Sequence, residues 1–86
     1  MADPGKVIVL TGATRGIGLA WLEAFAAGGH SLLGCGRDAA RIAELAGRHG
    51  ATCDLDVVDV RDRARVEAWA ERLLAERGVP DLLINN

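Results

Sequence analysis

An apolar strand that runs without a break into a glycine-rich turn, and then into a helix, leaves a chain few ways to fold. "KVIVLTG", residues 6–12, is apolar and β-branched, and "ATRGIG" follows directly. The first run reads as a buried strand closed by Gly12. "GIGLAWLEAFAAGG" then reads as a helix, with Ile17, Trp21 and Phe25 at i, i+4 and i+8, stopped by Gly28-Gly29. The same alternation continues. "HSLLGCG" is a second short strand, and Asp38 is placed to cap "AARIAELAGRHG", whose Ile42, Leu45 and Ala46 share a face. "ATCDLDVVDV" holds a third strand. Asp62 is placed to cap "RARVEAWAERLLAERG", with Val66, Trp69, Ala70, Leu73 and Leu74 as its apolar stripe and Arg63 to Glu67 as an i, i+4 pair. Gly78 and Pro80 end that helix, and "DLLINN" is a fourth strand. The order β-α-β-α-β-α-β, with short connections, predicts a parallel sheet joined by right-handed crossovers.

Composition narrows the function classes. The chain has 86 residues, half of them hydrophobic and a quarter charged, with net charge −2. That is a globular composition with no bulk charge directed at nucleic acid. No Lys/Arg block, repeat or linker divides it, and no apolar run approaches the ~20 residues that span a bilayer. "MADPGK" lacks the apolar core of a secretory signal. Cys35 and Cys53 sit in strand-like stretches and read as small buried hydrophobes rather than a disulfide framework, which points to the cytoplasm.

The glycine turn carries the chemistry. A helix N-terminus presents unpaired N–H groups and the positive end of its dipole, and so attracts phosphate. Glycines let the backbone approach a pyrophosphate with no Cβ in the way. The turn also lies at the carboxyl end of the first strand of a βαβ unit, where open parallel sheets bind ligands.

"TGATRGIG", Thr11 to Gly18, resembles the cofactor motif T-G-x-x-x-G-x-G of the short-chain dehydrogenase/reductases. "DVRD", Asp59 to Asp62, resembles their stretch after strand three, and "LLINN" resembles the start of their N-N-A-G motif. The likeness covers residues 5 to 86. It implies an α/β Rossmann-type three-layer parallel sheet, in strand order 3-2-1-4, with the first two helices on one face and the third on the other. Residues 1–86 then read as the N-terminal part of a single NAD(P)-binding domain whose remainder lies outside this sequence. The resemblance implies cofactor contacts at Thr11, Gly12, Thr14, Arg15, Gly16, Ile17, Gly18, Arg37, Asp59, Val60, Asn85 and Asn86. Gly12 makes the turn, and Gly16 with the Ile17 N–H meets the pyrophosphate. Gly18 lets the first helix pack closely. Thr11 ties strand one to Asn85-Asn86. Asp59 accepts from the adenine amino group beside the Val60 backbone, Asn85 lies near the adenosine ribose, and Asn86 steadies the loop.

The end of strand two sets cofactor choice. An acid there hydrogen-bonds the ribose hydroxyls of NAD and repels a 2′-phosphate. Gly36 holds that place, followed by Arg37, while Arg15 lies in the glycine loop. Two guanidiniums converging on one phosphate favour NADP(H), with NAD(H) left as the second option. Asp38 opposes that preference if its carboxylate turns toward the ribose.

The family's proton-transfer pair is a Tyr with a nearby Lys, and a Ser orients the substrate carbonyl. This chain has no Tyr, its Lys is Lys6, and its Ser is Ser31 in strand two. No catalytic residue is therefore assigned, and the 86-residue chain alone is expected to be inactive. His30 and His49 read as satisfied or solvent-facing, Trp21 and Trp69 as core, and Asp54 and Asp56 as too few to make a metal site. The reading is the cofactor-binding portion of an NADP(H)-dependent oxidoreductase that moves hydride between nicotinamide and a small carbonyl or alcohol. A homo-oligomer is expected, with no nucleic-acid or membrane partner. The alternatives are a catalytically inert NADP(H)-binding or partner-binding module, or a stub whose bare fourth strand docks on another chain. That bare edge also leads to the expectation that residues 1–86 do not fold independently.

Overall fold

The computed structural model describes residues 5–86. Its elements are β1 (Val7–Leu10), α1 (Gly16–Ala27), β2 (Ser31–Gly36), α2 (Ala39–His49), β3 (Cys53–Val57), α3 (Arg63–Arg77) and β4 (Leu82–Ile84). The four strands form one parallel sheet in the order β3-β2-β1-β4. Val7 pairs with Ser31, Leu32 with Cys53, and Ile8 with Leu82.

Alternation along the two central strands divides the core into two layers, because successive side chains point to opposite faces. Ile8, Leu10 and Leu32 face α1 and α2, where they pack with Leu22, Leu45 and Cys53. Val9, Leu33 and Cys35 face α3 and meet Trp69 and Leu73. Both faces of β1 and β2 are covered, so these strands read as continuous apolar runs rather than alternating ones.

The helix ends follow their local chemistry. Asp38 and Asp62 cap α2 and α3, each accepting a hydrogen bond from a backbone N–H three residues on, Arg41 and Arg65. α1 ends in a Schellman arrangement: Gly29 takes φ +82°, and the His30 and Gly29 N–H groups donate to the Phe25 and Ala26 carbonyls.

The face of α1 differs from expectation. Gly18 and Leu22 are its buried residues, with Leu19, Phe25 and Ala26 half-buried beside them, while Ile17 and Trp21 are exposed. The helix is apolar nearly all round, so no polar face sets its phase. The close approach of Gly18 to the turn sets it instead. On α3, Ala70 and Leu74 likewise fall outside the buried stripe, which runs through Trp69 and Leu73.

Residues outside the nucleotide loop find partners of their own. His30 Nδ1 accepts from the Lys6 N–H at 3.0 Å, and the ring stands edge-on to Phe25. His49 is neither satisfied nor solvent-facing at Nε2, which is buried with no hydrogen-bond partner among the described residues. Asp54 and Asp56 are engaged by Arg72 and Arg77, and Asp56 also accepts from the Trp69 indole N–H at 3.1 Å. Cys35 and Cys53 are both free and buried, and burial pushes both thiols above the usual range.

Candidate dinucleotide site at the carboxyl end of the sheet

The turn after β1 is held in place from three sides. Thr11 is buried; its N–H donates to the Ile84 carbonyl at 3.1 Å. Its hydroxyl donates to Asn85 Oδ1 at 3.0 Å and accepts from the Asn86 N–H at 2.9 Å. Asn86 Nδ2 reaches the Gly12 carbonyl at 3.1 Å. On the other side the Ala13 N–H donates to the Cys35 carbonyl at 3.0 Å, which lays the turn across the end of β2.

Two glycines bend the turn through the left-handed region, Gly12 at φ +61° and Gly16 at φ +60°. A Cβ on Gly16 would meet nothing within 4 Å, so the backbone there faces open space. A Cβ on Gly18 would strike the Gly12 carbonyl oxygen at 1.8 Å. Gly16 thus keeps the entrance clear, and Gly18 closes the turn onto the helix behind it.

α1 begins at this turn without the stopper its neighbours carry. Its N-cap, Arg15, makes no side-chain capping bond, and its first turn holds no acid. The first N–H groups of α1 therefore point outward as unpaired donors at the positive end of the helix dipole.

In front of them lies a concavity of about 570 Å³. Of the residues named from the sequence, Gly12, Thr14, Arg15, Gly16, Ile17, Arg37, Asp59, Val60 and Asn86 line it, together with Gly36, Val58 and Arg61. Thr11, Gly18 and Asn85 do not. Thr11 and Gly18 are buried behind the turn, and Asn85, bonded to Thr11, borders an apolar groove against α3. A second hollow of about 540 Å³ adjoins the first. It is lined by Thr14, Arg15, Arg37, Asp38, Arg41, Asp59 and Arg61.

The charges around this second hollow are unequal in freedom. The Arg15 and Arg37 guanidiniums make no hydrogen bond or ion pair among the described residues. Arg41 is engaged, by Glu44 at 2.8 Å and by the Thr14 carbonyl at 3.4 Å. Arg61 clamps Asp59, with Nη2 to Oδ2 at 2.8 Å and Nε to Oδ1 at 3.1 Å. Those bonds hold the Asp59 carboxyl well below the ordinary range, at about 2. Asp38 spends its Oδ1 on the Arg41 N–H at the α2 cap.

Two residues of the hollow escaped the sequence reading. Arg41 is brought in by the first turn of α2, whose direction the Asp38 cap fixes. Arg61 had a visible signal, since an Asp two residues before it can accept its backbone N–H in an Asx turn, here at 2.9 Å. Gly36 gains a reason beyond the want of an acid: a Cβ on it would meet Thr14 Cγ2 at 2.5 Å.

The arrangement is suited to an anionic, extended ligand laid across the strand ends. Open helix N–H groups and a Cβ-free backbone can face its phosphates, and two unpaired guanidiniums stand to one side.

The family model of the short chain dehydrogenases matches residues 6–86. The NADPH-dependent pterin aldehyde reductase of Arabidopsis thaliana is 29% identical over 83 residues, covering 94% of this chain and 34% of that protein. A short-chain dehydrogenase from Streptomyces avermitilis superposes with TM-score 0.87 at 33% identity, over 95% of this chain and 30% of that one. L-Sorbose reductase from Gluconobacter frateurii, solved with NADPH and L-sorbose, gives 0.82 at 36% identity, over 100% and 34%. The chain belongs to the short-chain dehydrogenase family and corresponds to the N-terminal part of its relatives. It spans about a third of the length of these proteins.

Proposed function

We propose that this chain is the cofactor-binding portion of an NADP(H)-dependent oxidoreductase. The observation that carries the reading is the pair Arg15 and Arg37, unpaired beside a β2 end at which Gly36 replaces the acid that suits NAD. In the proposed complex the turn from Gly12 to Gly18 and the open α1 N-terminus take the pyrophosphate. Asp59 and Val60 border the adenine, and Arg15 and Arg37 take the ribose 2′-phosphate. Thr11, Asn85 and Asn86 hold the turn rather than the ligand, in keeping with their bonds to one another and to Gly12.

The nicotinamide, when bound, supplies or accepts hydride; this chain orients the dinucleotide. The NADPH named for the pterin aldehyde reductase and for the L-sorbose reductase complex supports the cofactor choice. The same reading gives the whole protein a small carbonyl or alcohol substrate, a homo-oligomeric state and a place in the cytoplasm. Among the described residues no helix is long and apolar enough to cross a membrane.

The test is Arg37→Asp in the intact enzyme, with steady-state kinetics on both cofactors. The expected result is a rise in KM for NADP(H) of roughly ten- to a hundredfold, from the loss of one charge-assisted contact, with NAD(H) unchanged or improved. Unchanged kinetics with both cofactors would contradict the role of Arg37.

A further inference from the structure

Asp59 and Arg61 are joined more completely than any other exposed pair at the site. Oδ1 accepts from the Arg61 N–H at 2.9 Å and from Nε at 3.1 Å, while Oδ2 accepts from Nε at 3.2 Å and Nη2 at 2.8 Å. Backbone and side chain of one residue thus hold both oxygens of the other. A carboxylate so held presents little net charge to its surroundings, whereas a bare one would attract the nearest free cation. Arg15 and Arg37 both share the two hollows with Asp59, and of these free cations it is Arg37 that already acts on it electrostatically.

Resting on the NADP(H) reading above, we infer that Arg61 is a positioning residue for cofactor choice. By clamping the Asp59 carboxylate it masks the negative charge on that wall and leaves Arg37 free for the 2′-phosphate. Asp38, the other acid of the hollow, is drawn off by the α2 cap. Of the two carboxylates that could compete for Arg37, Asp38 has one oxygen held by the helix end and Asp59 has both held by Arg61. Without Arg61, Asp59 becomes the partner of Arg37 and a repellent neighbour of a phosphate dianion.

The experiment compares Arg61→Leu, Arg61→Lys and the double variant Asp59→Asn/Arg61→Leu in the intact protein, with NADP+ and NAD+ as titrants. The Arg61 side chain is 75% exposed, so its replacement removes no core packing. Arg61→Leu is expected to narrow the preference for NADP+ by about fivefold, the scale of one solvent-screened charge acting on a dianion. The loss should fall on NADP+ and shrink at raised salt. Arg61→Lys should keep part of the preference. The double variant should recover it, because no charge is left to mask. Equal weakening of both cofactors by Arg61→Leu, or a double variant whose preference for NADP+ is as narrow as that of Arg61→Leu, overturns the role. A wild-type protein with no preference for NADP+ overturns the cofactor reading and this role together. A wild-type preference that Arg61→Leu leaves untouched overturns the role of Arg61 alone.

Discussion

Gly18 sits against Gly12 so closely that a Cβ on it would lie 1.8 Å from the Gly12 carbonyl oxygen and 2.7 Å from Asn86 Nδ2. A methyl group cannot be absorbed there, because the nearest atoms are backbone and a bonded amide. Gly18→Ala should push the turn off α1 and cost about 1–3 kcal/mol of stability, as overpacking does. Dinucleotide affinity should fall with it. Gly16→Ala should behave differently. Its site has room, so the stability loss should be limited to the left-handed backbone, about 1–2 kcal/mol. The methyl would nonetheless stand at the entrance and block the ligand. Thermal unfolding with and without NADP+ separates the two variants.

Gly36 and Thr14 constrain any attempt to change the cofactor. A Cβ on Gly36 would meet Thr14 Cγ2 at 2.5 Å and Oγ1 at 3.0 Å. Gly36→Asp alone should lose NADP+ and gain little NAD+, since the new side chain displaces the turn. Thr14→Gly/Gly36→Asp should bind NAD+ better than Gly36→Asp does. Calorimetric titration of both variants with NAD+ checks this; equal affinity would show that Thr14 is no obstacle.

Thr11 joins the ends of β1 and β4 through its hydroxyl. Thr11→Val keeps the shape and removes the bonds to Asn85 and Asn86. The expected cost is about 1–3 kcal/mol, the range for leaving a partner unsatisfied. The more specific readout is amide exchange at Asn86, whose N–H loses its acceptor and should exchange faster while the β1–β2 amides stay protected.

The Asp59–Arg61 clamp gives a pH dependence of known sign. The carboxyl is held at about 2 in the fold, below the ordinary 3.8. A lowered folded value means the ionised form is favoured by folding. The contribution is therefore fully present above the ordinary value and is lost as pH falls from there toward about 2. Carboxyl-detected NMR titration should find Asp59 titrating near the low end, and Arg61→Leu should return it upward. An unmoved midpoint would show that Arg61 is not the cause.

Much of the fold could be read in the sequence because each signal was local and redundant. The strand runs were bounded by glycine, and Asp38 and Asp62 stood where two helices begin. The phase of α1 could not be read this way. Ile17, Trp21 and Phe25 keep helical spacing, but so do Gly18, Leu22 and Phe25, and the choice depends on a backbone contact between Gly18 and Gly12. The turn residues of the site were legible as a motif. Arg41 was not, because its approach to the hollow depends on where α2 delivers it; for Arg61 the sequence carried only the local Asx-turn signal of Asp59, which does not say where the segment after β3 lies. The position of Asn85 behind Thr11, rather than in the concavity, likewise follows from pairing of β4 with β1.

The central claim is that the hollow beside Arg15 and Arg37 receives a ribose 2′-phosphate. Calorimetric titration of the intact wild-type protein with NADP+ and with NAD+ tests it most directly. Two charge-assisted contacts predict that NADP+ binds roughly a hundred- to ten-thousandfold more tightly. Equal affinities, or tighter binding of NAD+, would contradict the account.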